Sequence, residues 1–116
     1  MNASEKAKLL SIFKQHAYGS HNARNKNTFT WMLWNTKEPS TAQERNFRLM
    51  VEELVVQDGE PICSHPDFGY WYAASLNDGD PAIADGRSRV AKINERVNKL
   101  EKNLIQKYGG QLGMGI

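Results

Sequence analysis

The chain has 116 residues, 40% of them hydrophobic and 24% charged, with a formal net charge of +2. That size suits one core with short appendages and leaves no room for two full domains, and the composition is that of a folded chain, not a disordered one. No apolar run approaches the roughly 20 residues of a membrane-crossing helix, and the small net charge means that any nucleic-acid reading must rest on where the charges lie.

The first residues, Met1 to Lys8, place charges where a secretory signal needs a continuous apolar stretch, so a cytoplasmic protein is expected. The single cysteine, Cys63, has no partner for a disulfide or for a Cys-x-x-Cys metal or redox motif. It reads instead as a small buried hydrophobe.

In chain order, residues 4–16 carry Ala7, Leu10 and a neighbouring stripe of Leu9, Ile12 and Phe13 at helical spacing, with Ser4 as the expected N-cap. Residues 18–27 lack apolar period and are dense in turn formers, which predicts a loop presenting Arg24 and Lys26 with no acid nearby. Residues 28–35 are short and apolar, and periodicity does not separate helix from strand there. Residues 36–39 form a breaker. Ser40-x-x-Gln43 and Thr41-x-x-Glu44 are overlapping capping boxes, so a helix is expected from Ser40 or Thr41. Phe47, Met50, Val51 and Leu54 form its buried face, and it ends near Asp58-Gly59.

Past Pro61 the period shortens. Residues 61–64 and 70–73 read as strands joined by His65-Pro66-Asp67-Phe68-Gly69, a hairpin with a projecting tip. Residues 75–86 read as a polar linker. Residues 87–108 read as a basic amphipathic helix whose Val90, Ile93, Val97, Leu100 and Leu104 repeat at spacings of 3 and 4. The glycine-rich residues 109–116 read as a frayed tail. The expected fold class is therefore mainly α with a small β-hairpin: a winged helix-turn-helix over residues 1–74 (wing 61–73), a linker at 75–86 and an added C-terminal helix.

The residues also carry a resemblance. Arg45-Asn46-Phe47-Arg48-Leu49-Met50-Val51-Glu52-Glu53-Leu54, then Gly59-Glu60-Pro61-Ile62-Cys63-Ser64, then Phe68-Gly69-Tyr70-Trp71-Tyr72-Ala73 resemble small phage and prophage winged-helix proteins. The likeness spans roughly residues 40–107 and is sharpest at Pro61-Ile62-Cys63-Ser64. It implies double-stranded DNA binding in regulation or replication of a phage or mobile element, with no cofactor.

Residue chemistry points the same way. The outer face of the Ser40 helix offers Thr41, Gln43, Arg45, Asn46 and Arg48, side chains that read base edges or hold phosphates, and they fall in the first turns, where a recognition helix reads. Arg24, Lys26, Ser64 and His65 are candidate phosphate contacts beside it. Trp31, Trp34, Tyr70, Trp71 and Tyr72 are assigned to the core rather than to base stacking. The Val90, Ile93, Val97, Leu100, Leu104 seam is a candidate homodimer interface, covered in part by the N-terminal helix. The histidines His16, His21 and His65 lack metal-spaced partners, and no phosphate loop or nucleophile elbow is present, so neither an enzyme nor a metal site is expected. A second reading keeps the same scaffold for capture of a host protein.

Overall fold

The computed structural model describes residues 3–112. The chain is mainly helical with one two-stranded antiparallel hairpin, an α+β arrangement. The elements run α1 (Ala3–His16), α2 (Lys26–Trp34), α3 (Thr41–Val56), β1 (Ile62–His65), β2 (Gly69–Tyr72) and α4 (Asp80–Leu112), with short 3-10 turns at Ser20–Asn22 and Leu76–Gly79. Two compact units divide between Ala82 and Ile83.

α1 packs on α2 and α3 through Leu9, Ile12 and Phe13, all buried. Ala7 is exposed and Ser4 lies inside the helix, so the expected cap and stripe move by part of a turn. α2 settles the ambiguous apolar segment as helix. The Asn25 side chain accepts from the Thr28 N–H at its start, and Asn35 in the left-handed region (φ 54°) ends it. Its buried face is Phe29, Thr30 and Leu33. Trp31, by contrast, is exposed, which corrects its assignment to the core; Trp34 is half-buried and donates its indole N–H to Glu5.

α3 begins as the pattern requires. The Ser40 hydroxyl accepts from the Gln43 N–H at 3.1 Å, and the Gln43 side chain accepts from the Ser40 N–H at 2.9 Å. Phe47, Met50 and Leu54 are buried, and the helix stops at Val56, with Gly59 at φ 73° in the turn that follows. An aromatic chain runs through the core: Phe13 stacks on Phe29 at 4.4 Å, Phe29 lies 5.8 Å from Phe47, and Phe47 meets Tyr70 edge-on at 5.1 Å.

In the hairpin Cys63 pairs with Trp71 and Ser64 with Tyr70. The stretch expected as a plain loop pairs with the far side of β2. Gly19 donates to Tyr72 O and Tyr72 to Ala17 O, both at 2.8 Å, while Arg24 and Tyr70 exchange backbone bonds at 2.9 and 2.7 Å. Gly69 permits that approach: at φ 95°, an added Cβ would lie 2.3 Å from the Arg24 carbonyl oxygen. β2 is thus bonded on both sides.

The supposed linker is structured. The Asp78 carboxylate accepts from the Ser20 N–H at 3.0 Å and the Ala74 N–H at 2.9 Å, while its backbone carbonyl accepts from the indole of fully buried Trp71 at 3.1 Å. These bonds, to Ser20 foremost and then to Ala74, hold the Asp78 carboxyl below its ordinary value. A depressed carboxylate stabilises the fold above its unfolded pKa and loses that contribution as pH falls through the folded value. Asp78→Ala is therefore expected to lower the thermal midpoint at neutral pH, with the gap to wild type closing under acid; a constant gap across a pH-scanned melt would refute the assignment.

α4 starts at Asp80 rather than Arg87 and extends to Leu112 rather than Tyr108, so much of the expected linker and the glycines Gly109 and Gly110 are helical. Residues 113–116 of the expected tail lie outside the described residues.

Candidate nucleic-acid interface

α3 points its core face inward through Phe47, Met50 and Leu54, and a helix of 3.6 residues per turn then sets the opposite face. Thr41, Arg45 and Arg48, at spacings of four and three, form that outward stripe and are all exposed; Asn46 is exposed on its flank. Gln43 is half-buried, and its side-chain oxygen is committed to the cap.

The cations of the first unit divide sharply by environment. Lys6 bridges Asp58 at 2.9 Å and Glu53 at 3.4 Å, tying α1 to the end of α3; the Asp58 contact foremost raises its pKa above the ordinary lysine value. Lys8 donates to the Leu33 carbonyl at 3.3 Å, and Arg24 Nε donates to the His16 carbonyl at 3.2 Å. Lys26 pairs with Glu44 at 3.0 Å, joining the start of α2 to the first turn of α3. This corrects the expectation that Lys26 has no acid nearby: the acid arrives from the next helix. Lys14 sits 5.7 Å over the Tyr72 ring and Lys37 5.9 Å over Trp31. Of the described lysines and arginines of this unit, only Arg45 and Arg48 make no ion pair, hydrogen bond or ring contact through their side chains. Both lie on the outward stripe of α3.

The sheet gathers a second group. Arg24 is bridged to Tyr70, and Tyr70 is paired with Ser64, so Arg24, Tyr70 and Ser64 lie side by side across three segments. His65 follows at the tip, its ring stacked on exposed Phe68 at 4.3 Å, with Nδ1 accepting from the Asp67 N–H at 3.1 Å. Cys63 is buried, and desolvation pushes its thiol pKa up, in keeping with a packing role and an unreactive sulfur.

One recess was not foreseen. Asn25, Asn27, Thr28, Trp31 and Lys37 line it. Its signal was present in the sequence, because Asn27 and Trp31 are four apart on the face of α2 opposite Phe29 and Leu33. Among the described residues there is no group of three or more His, Cys, Asp or Glu side chains that could hold a metal, and no helix long and apolar enough to cross a membrane. No family model, no curated protein and no solved structure matches the chain.

Proposed function

We propose that this chain is a winged helix-turn-helix protein that binds double-stranded DNA through the first turns of α3, in regulation or replication of a phage or mobile element, as a non-catalytic protein of the host cytoplasm. The observation that carries this reading is the pair of uncommitted guanidinium groups. Among the described lysines and arginines of the first unit, only the side chains of Arg45 and Arg48 are left without a partner, and they share one exposed stripe with Thr41 on a helix whose start is firmly capped. Arginine is the side chain best suited to paired contacts with guanine or phosphate. The element order adds support: two helices, α2 and α3, joined by a short turn, then a hairpin, with the segment before α2 bonded to β2.

Capture of a host protein would draw on the later half of α3, where Leu49 and Val56 are exposed beside Glu52. One assay separates the readings. In a mobility-shift titration on random-sequence duplex at two salt concentrations, the expected complex weakens steeply as salt rises, with log affinity falling by about 0.9 per log salt for each phosphate neutralised. No shift at low salt, or a salt-insensitive one, overturns the DNA reading.

A further inference from the structure

The longest uncovered apolar feature of the described residues lies on α4. Val90, Ile93, Val97, Leu100 and Leu104 each leave 50–60% of their surface exposed. Because the helix begins at Asp80, the repeat reaches back to Ile83, likewise half-exposed and previously placed in a linker. In heptad terms Ile83, Val90, Val97 and Leu104 take position a, while Ile93 and Leu100 take the two central d positions between Gly86 and Lys107 at the outer ones. Three of the four a residues are β-branched, and Val97 at a with Leu100 at d is the combination that favours two parallel strands.

The flanking charges identify the occupant. Arg89 and Arg96 fall at g, and Arg87, Asn94 and Glu101 at e. Two parallel helices in register set each g position against the e position five residues on in the other helix. Arg96 then faces Glu101 of the second copy, twice by symmetry, and Arg89 faces neutral Asn94. No like-charged pair arises between g and e positions; like charges meet at the last d position, Lys107, whose long stem carries its ammonium outward to solvent. Within one chain neither Arg96 nor Glu101 has an ion-pair partner among the described residues, although Arg89 pairs with Asp85 at 2.8 Å and Lys99 with Glu95 at 3.6 Å. Antiparallel alternatives fit less well. Stacking Val90 on Leu100 and Ile93 on Val97 puts Arg96 against Arg96 and Leu104 against Gly86, and the register one heptad further along sets Arg96 against neutral Asn103, so neither gives Arg96 an acid.

We propose that α4 forms a parallel, in-register, two-stranded coiled coil with α4 of a second copy of this chain, matched by reciprocal Arg96–Glu101 pairs. The pairing does not depend on the duplex-binding reading and is tested without DNA. Sedimentation equilibrium of the full chain is expected to show a monomer–dimer equilibrium. The Ile93→Lys, Leu100→Lys double variant is expected to stay monomeric while the near-ultraviolet circular dichroism of the first unit is retained. Arg96→Glu or Glu101→Arg alone should weaken association by roughly tenfold, through lost attraction and new repulsion, and the two together should restore it. Val90→Cys should cross-link to itself on mild oxidation, with wild type, whose Cys63 is buried, as the control. A wild type that remains monomeric at high micromolar concentration, a trimer, a charge swap that fails to rescue, or a Val90→Cys variant that does not cross-link overturns the proposal.

Discussion

Phe47→Ala is expected to remove about 3–5 kcal/mol of folding stability, read as a large fall in the urea midpoint of the first unit. The size follows from position. Phe47 is fully buried and sits between Phe29 of α2 and Tyr70 of β2, so truncation opens a cavity where α2, α3 and β2 converge and removes two ring contacts together. That loss is of the order of half the stability of a small domain. Leu54→Ala, near the other end of the same face, should cost about 2–5 kcal/mol. A midpoint within error of wild type for both variants would mean that the faces of α3 are assigned the wrong way round.

The Arg45→Ala, Arg48→Ala double variant should lose most duplex binding while melting like wild type. Neither side chain is buried or bonded to the fold, and substitutions of that kind usually change stability by less than about 0.5 kcal/mol. The single variants divide the work. A side chain that grips guanine through two bonds relaxes discrimination by about 1–3 kcal/mol when removed, whereas one that holds a phosphate weakens all sequences alike and lowers the salt slope by about one. Competition binding with the two single variants on a selected site and on random duplex reads these apart. Wild-type affinity in both, with an intact circular-dichroism spectrum, would remove α3 as the contact surface.

What could be read from the sequence was what local chemistry decides. Ser40 and Gln43 form their reciprocal bonds within four residues of chain, so the start of α3 and its buried face were legible. The hairpin strands fell within a residue of their observed ends for the same reason. α2 was harder because its nine residues are too few for a period, and its signals were asparagines at both ends that resemble loop residues. The early start of α4 was hidden by Pro81, which breaks a helix interior but is at home in a first turn, where its missing N–H costs nothing. Of the candidate site, the outward stripe of α3 was legible from helix geometry. The commitment of Lys26 to Glu44 was not, because the two meet only once α2 and α3 have packed. The same holds for the bridges from Tyr18 and Arg24 to β2, which no local pattern encodes.

Those bridges also bear on how the protein avoids unwanted assembly. A strand with unpaired backbone groups is a template for another chain, and small sheets must blunt that hazard. Here one margin of the sheet is already closed by residues 17–24, which leaves the free side of β1 as the exposed edge. That edge is only four residues long, and prolines stand directly before and after it, at Pro61 and Pro66. A proline offers no N–H to an incoming strand, so a ladder begun on β1 cannot extend past either end. Sheet growth from β1 is thereby held to a four-residue ladder, too short to make a strong template.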